Sequence, residues 1–330
     1  MKKLFSFKNF FIIFLNLFFC FYIIELAARF YISKSHDGII WLKSPTPNYQ
    51  ANDKLGWFSI PNLKYEKVDS CFGSGVVSYN SDGFRGEAFT KRSDYDIVVV
   101  ILGDSTVQSY QIPDGQHMAD LLQEKLKAKY RNPFVVGMGV GGYGTAQQYL
   151  LLKKYYKKYR PDYIFHLWDK NDLENNSFEW EKHVGSGHNL QIPRPYLNER
   201  TKNFEVKKPM PLYLGSHFTF FKIVKKLNKV INNLFIQTGE LPEVRKRART
   251  TTKELISMIK TFASESIFTG LFFSYAKSSV YDIYSELEIP TIELPNMDDK
   301  RCLPKDYHIN PKGHDAVADK IYSRISSLHN

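Results

Sequence analysis

Ile97–Gly103 (IVVVILG) is an unbroken apolar run that ends without transition in Asp104 and Ser105. A run this short and uniformly apolar reads as a strand covered on both faces, the environment of a parallel sheet. The pattern recurs along the chain. Phe134–Met138 leads into the glycine-rich loop Gly139–Thr145 (GVGGYGT), and Tyr163–Leu167 leads to Trp168 and then to Asn171 and Asp172. Between the runs lie helical stretches, Gly115–Tyr130 with Met118, Leu121, Leu122 and Leu126 on one face, and Thr145–Tyr159. Ile267–Phe273 and Thr291–Leu294 read as two further strands, with a helix over Thr251–Ala263 before the first, and Pro311 suits the first turn of a closing helix. Strand, polar loop and helix in alternation predict an α/β fold, a parallel sheet sandwiched by helices.

In open parallel sheets, ligands gather outside the carboxyl ends of the strands. Those ends carry Ser105, the glycine loop and Asn171, and near the C-terminus stand Asp306 and His308. These residue types suit acyl transfer. A serine hydroxyl is a weak nucleophile until a base takes its proton. His308 is the candidate base, and Asp306 is placed to fix its tautomer and stabilise the imidazolium. The tetrahedral intermediate needs fixed donors for its oxyanion, each worth about 3 kcal/mol when removed. The backbone N–H groups of Ser105 and Gly142 and the side-chain amide of Asn171 are candidates, Gly142 because a glycine lets the backbone approach a ligand closely. Asp104 reads as holding the serine loop, and His314 as a packed residue of the closing helix.

These motifs resemble those of the SGNH hydrolases, also called the GDSL esterase/lipase superfamily: GDS at Gly103–Ser105, GVGGYGT at Gly139–Thr145, ND at Asn171–Asp172 and DYHINPKGH at Asp306–His314. The chain is similar in particular to membrane-anchored bacterial members that carry an upstream GFRG, here Gly83–Gly86. The resemblance extends over roughly residues 75–330. It implies a flavodoxin-like three-layer α/β/α sandwich, with Ser105 as nucleophile, His308 and Asp306 completing the triad, and Ser105, Gly142 and Asn171 forming the oxyanion hole. It also implies action on acyl or acetyl esters, often of carbohydrates. Two positions depart from the family's commonest pattern. Only Tyr307 separates Asp306 from His308 where DxxH is usual, and Gly137 stands where an asparagine often precedes the glycine loop.

Lys2, Lys3 and Lys8 precede Phe10–Ile24, almost wholly apolar, and the apolar character resumes after Glu25. A spanning helix needs about 20 residues. Residues 9–32 are therefore expected to form one transmembrane signal-anchor, with residues 1–8 cytoplasmic and the remainder extracytoplasmic. The alternative is a secretory signal cleaved near Ala28, which exports the domain equally. Residues 33–95 read as a loop-rich approach segment and 96–330 as the catalytic domain, interrupted by a basic helical insertion at about 173–250. Within that insertion Ile223, Val224, Leu227, Val230, Ile231, Leu234 and Phe235 recur at helical spacing.

Residues 201–250 hold eleven Lys/Arg against three Asp/Glu, an excess of eight out of the formal +11, which suggests an anionic neighbour such as a phospholipid surface or an acidic glycan. No recognition helix or stacking platform points to nucleic acid. No CxxC and no His/Cys cluster suggests a metal, and no cofactor is expected. Cys71 and Cys302 are the only cysteines outside the apolar segment, either bridged so as to pin the loop before Asp306 or two separate thiols. The expected function is a membrane-tethered serine esterase acting on envelope glycan or lipid esters. An O-acyltransferase with the same triad and a non-catalytic binding domain on the same fold are the alternatives.

Overall fold

The computed structural model describes residues 12–25, 48–180, 193–207, 240–295, 297–303 and 306–328. The chain divides into two compact units, residues 48–209 with 242–330, and residues 1–47 with 210–241. Helix α1 spans 12–25. Two hairpins follow, β1 (Tyr49–Asn52) with β2 (Gly56–Ser59), and β3 (Lys64–Asp69) with β4 (Gly73–Ser78). Then come β5 (Ile97–Gly103), α2 (Ser105–Gln108), α3 (Met118–Leu126), β6 (Pro133–Gly139), α4 (Thr145–Tyr159), β7 (Tyr163–Trp168) and α5 (Asn171–Asn175). A small antiparallel pair, β8 (Arg194–Leu197) and β9 (Phe204–Lys207), precedes α6 (Glu240–Phe262). The chain closes with β10 (Ile267–Phe273), α7 (Lys277–Glu286), β11 (Thr291–Leu294), β12 (Arg301–Cys302), β13 (Asp306–Ile309) and α8 (Pro311–Ser327).

Five strands form one parallel sheet in the order β11-β10-β7-β5-β6. By rank in the chain this is 2-1-3-4-5 read from the other edge, the flavodoxin-like order, which reverses direction between β5 and β7. All seven residues of β5 are buried. Their alternation divides the core into two layers. Val98, Val100 and Leu102 pack with Leu151 of α4, Ile256 of α6 and Ile283 of α7. Val99 and Ile101 pack with Leu122 of α3 and Ile321 of α8. The three-layer α/β/α expectation holds.

Two readings change. Residues 49–78, expected to be loop-rich, form the two hairpins. Turns at Gly56 (φ +86°) and Gly73 (φ +87°) close them, so these glycines, which read as loop, are the hairpins' punctuation. Helix α6 begins at Glu240, ten residues before the expected basic insertion ends, because Val244 and Ala248 extend the buried stripe of Leu255, Ile256 and Ile259 backwards. The expected helix at 223–235 lies outside the described residues.

The expected spanning helix at 9–32 is not among the described ones: no helix of the described residues is long and apolar enough to cross a membrane. The described part of helix α1, at about 1.5 Å per residue, covers roughly 21 Å. Its apolar side chains, among them Leu17, Phe18, Phe19 and Ile24, are exposed. The rest of 9–32 lies outside the described residues.

Candidate active site

Strand β5 passes directly into α2, so Ser105 is the first helical residue above the sheet's carboxyl edge, at the topological switch point. Asp104 caps that helix, its Oδ1 accepting from the Thr106 N–H at 2.9 Å, and is itself only 2% exposed. The turn is packed too tightly for a side chain beneath it. A Cβ on Gly139 would lie 2.5 Å from the Gln108 nitrogen and 2.7 Å from the Asp104 carbonyl oxygen.

Asp306 and His308 arrive on β13, which pairs antiparallel with β12. A strand turns alternate side chains to opposite faces, so one intervening residue puts both on one face while Tyr307 stands 76% exposed. His308 Nε2 lies 2.9 Å from Ser105 Oγ, and His308 Nδ1 lies 2.6 Å from Asp306 Oδ1. The same Asp306 oxygen also accepts from the His308 backbone N–H at 2.9 Å. Burial pulls the imidazole down, but the hydrogen bond and charge of Asp306, with Asp104 and Asp169 farther off, outweigh it and leave His308 above its ordinary value. The His308 hydrogen bond, against a smaller opposing effect of burial, holds Asp306 below the usual carboxylate range. Asp306 ionised and His308 neutral, with Nδ1–H donating to Asp306, leaves Nε2 free to accept the serine proton.

Asn171 opens α5 just beyond β7, and its Nδ2 donates to Asp104 Oδ2 at 2.9 Å. Ser105, His308 and Asn171 line one cavity of about 480 Å³, with Asp169, Tyr275 and Arg301 on its wall. Gly142 and Asp306 are not part of that lining. Gly142 sits on the neighbouring loop at φ +77°, and that loop is tied to α2 by the Gly141 N–H, which donates to Gln108 Oε1 at 2.7 Å. The structure therefore brings Ser105, His308, Asp306 and Asn171 into one hydrogen-bonded cluster and places Gly142 beside it.

Several supporting residues were given no role by the sequence reading, although Arg85 and Asp172 lie within the GFRG and ND motifs. Arg85, in the GFRG stretch, is 1% exposed and donates to the carbonyls of Ser109 (2.7 Å) and Ile112 (2.8 Å) and to Asp114 (3.1 Å), bracing the chain that leaves α2. Tyr275 donates to both oxygens of Asp169 at 2.8 Å, and burial, then the charge of Asp104, raises that carboxyl. Asp172 is fully buried and accepts from the Asp169 N–H (3.1 Å) and Gln148 Nε2 (2.9 Å). A GFRG arginine between turn residues was the one available signal for Arg85. His314 is packed as expected, fully buried and accepting from the Met118 N–H at 3.1 Å. Among the described residues there is no group of three or more His, Cys, Asp or Glu that could hold a metal ion.

No protein-family model matches the chain, and no curated protein matches it. Among solved structures the chain is similar to the psychrotrophic esterase EstA from Pseudoalteromonas sp., at 13% identity over 71% of this chain and 100% of that one, with a TM-score of 0.40. It is also similar to an acetyl xylan esterase from the rumen bacterium Butyrivibrio proteoclasticus, at 10% identity over 71% of this chain and 64% of that one, TM-score 0.39. A lipase/acylhydrolase from Enterococcus faecalis matches at 12% identity over 70% of this chain and 96% of that one, TM-score 0.38.

Proposed function

We propose that this chain is a serine esterase of the SGNH (GDSL) class, hydrolysing acyl or acetyl esters through Ser105, His308 and Asp306. The observation that carries the reading is the continuous Ser105–His308–Asp306 hydrogen-bond chain, with Ser105 and His308 in the wall of a cavity, built from two elements 203 residues apart. In the first half-reaction His308 Nε2 takes the Ser105 proton as Oγ attacks the ester carbonyl. The oxyanion is received by the Ser105 and Gly142 N–H groups and the Asn171 amide. The tetrahedral intermediate collapses as His308 returns the proton to the leaving alkoxide, giving an acyl-serine and a free alcohol. Water, activated by the same imidazole, then releases the acid and restores Ser105.

The substrate we favour is an ester of a cell-envelope carbohydrate or lipid, on a single-pass membrane protein whose catalytic unit is extracytoplasmic. Supporting this are Lys2, Lys3 and Lys8 ahead of the apolar segment, the exposed apolar side chains of α1, and the Cys71–Cys302 disulfide, which suits an oxidising compartment.

The test is turnover of p-nitrophenyl acetate, longer p-nitrophenyl esters and acetylated sugars by wild type and Ser105→Ala, with and without an acceptor glycan. The expected result is turnover by the wild type only, with fluorophosphonate labelling at Ser105. Acyl transfer to the glycan in preference to water would move the reading to an O-acyltransferase. Absence of any turnover, with glycan binding intact, would establish a binding domain instead. Resistance to carbonate extraction, together with digestion by protease added from outside, checks the location.

A further inference from the structure

The Gly142 N–H is useful as an oxyanion donor only if its peptide plane is held in one orientation, and a glycine at φ +77° holds none by itself. The C=O of Gly141 and the N–H of Gly142 belong to one planar trans peptide and point in opposite directions. That carbonyl accepts from Trp57 Nε1 at 3.0 Å. Fixing the oxygen on one side fixes the N–H on the other. The next peptide is held as well: the Gly142 carbonyl accepts from Arg194 Nη2 at 2.8 Å, while Nη1 of the same guanidinium donates to the Asn175 carbonyl at 3.2 Å. Asn175 is the last residue of α5, whose first residue is Asn171. One rigid fork therefore ties the glycine loop to the helix that carries the side-chain donor.

The fork is itself fixed from below. The Arg194 guanidinium lies 5.1 Å from the centroid of the Trp57 ring, Trp57 is 3% exposed and Arg194 fully buried. The Tyr143 hydroxyl donates to the Trp57 carbonyl, and its ring meets the Trp57 ring edge-on at 5.4 Å. Both residues come from outside the βα framework, Trp57 from the β1–β2 hairpin and Arg194 from β8. A lysine at 194 would keep the charge but reach only one of the two carbonyls.

We infer that Trp57 and Arg194 are positioning residues of the reaction, a paired clamp that orients the Gly142 peptide and joins it to α5. The inference rests on the esterase reading above. Its test uses the full chain as Trp57→Phe, which removes one N–H and keeps an aromatic ring under Arg194, and as Arg194→Lys. For p-nitrophenyl acetate, kcat falls about tenfold in Trp57→Phe and about 100-fold in Arg194→Lys, the cost of a misplacement near 1 Å, with KM within about twofold. The distinguishing readout is the thionoester analogue, whose sulfur is a weak hydrogen-bond acceptor and draws little from the hole. On it both penalties shrink to about threefold or less. Unchanged kcat in Trp57→Phe, or the same penalty on ester and thionoester, overturns the inference, the latter because general loosening does not distinguish the two. Should Arg194→Lys fail to fold, Trp57→Phe decides alone. A wild type that turns over neither compound defeats the esterase reading and the clamp's role in it, whereas a wild type active on both with unaffected variants defeats the clamp only.

Discussion

Cys302 pairs across the β12–β13 ribbon with Asp306 and is bonded to Cys71, 231 residues earlier, at the turn between β3 and β4. The bridge therefore closes most of the catalytic unit into one loop and ends directly opposite a member of the candidate triad. Constraining the unfolded chain by a loop of that length corresponds to about 5 kcal/mol in the chain-entropy treatment, and removal of native bridges typically costs about 2–5 kcal/mol. Total stability for a domain is only about 5–15 kcal/mol, so the loss is a large share of it. The perturbation is Cys302→Ser, compared with wild type by urea unfolding. The unfolding free energy is expected to drop by about 2–5 kcal/mol. Ester turnover should fall with it, because the ribbon carrying Asp306 and His308 loses its tether. Thiol titration of the denatured, unreduced wild type should find one reactive cysteine, Cys20, and three after reduction. Three thiols before reduction, or a Cys302→Ser chain as stable as wild type, would refute the reasoning.

The remaining predictions concern charge and protonation. On the proposed mechanism neutral His308 is the working form, and its pKa lies above the ordinary imidazole value, so kcat/KM should rise with pH through a limb centred above about 6.5 and then level. In Asp306→Asn that limb should move to lower pH and the plateau fall; a limb that stays put separates Asp306 from the base. Asp104→Asn removes another charge that raises His308, so its limb should also shift down, with lower kcat through the loss of the Asn171 contact. His308→Ala should cost as much rate as Ser105→Ala, and the double variant little more, since triad members act as a unit. His166 is fully buried between Gln148 (2.7 Å) and Tyr284 (3.0 Å), and burial lowers its pKa to about 3. Its folded value lies below the unfolded one, so the stability it confers is fully present above about 6.5 and erodes as pH falls toward 3, by about 2 kcal/mol at pH 5. The penalty of His166→Gln in urea melts should accordingly be about 2 kcal/mol smaller at pH 5 than at pH 8. A pH-independent penalty would contradict a buried neutral imidazole.

How much of this was legible follows from which forces act locally. Strands β5, β6 and β7 are buried on both faces, so each appears in the sequence as a largely apolar run, broken in β7 only by His166, and the residues after each run fall at the sheet edge by topology alone. Ser105 and Asn171 needed nothing more. His308 was legible by chemistry, and the DxH spacing made sense only once β13 proved to be a strand. The hairpins of residues 49–78 were hidden because β3 alternates exposed and half-buried residues and its turns are glycine-rich. The first half of α6 was hidden by its run of exposed Arg245, Lys246 and Arg247, which masks the Val244 and Ala248 stripe. Trp57 and Arg194 act on the glycine loop from 84 and 52 residues away. No spacing rule links them to it. A buried arginine inside the short strand β8, between Pro193 and Pro195, was the only local anomaly.

The hydrogen bond from Asn171 to Asp104 looks at first like competition for the donor that an oxyanion would need. An amide nitrogen, however, carries two N–H groups. Nδ2 bonded to Asp104 Oδ2 commits one of them and turns the other in a direction fixed by the plane of the amide. Asp104 is in turn immobile, because it caps α2 through the Thr106 N–H and is almost completely buried. The capping residue of α2 thus sets the rotamer of the Asn171 amide on α5. On the proposed reading, both donors contributed from outside α2 are orientated by the group on their far side: Asn171 by Asp104, and the Gly142 peptide by Trp57. A hole built in this way needs no reorganisation when the negative charge develops, which is the condition under which fixed dipoles contribute most to a transition state. It also explains why Asp104 follows β5 without any spacer. One residue further along, its carboxylate would leave either the α2 cap or the Asn171 amide unserved.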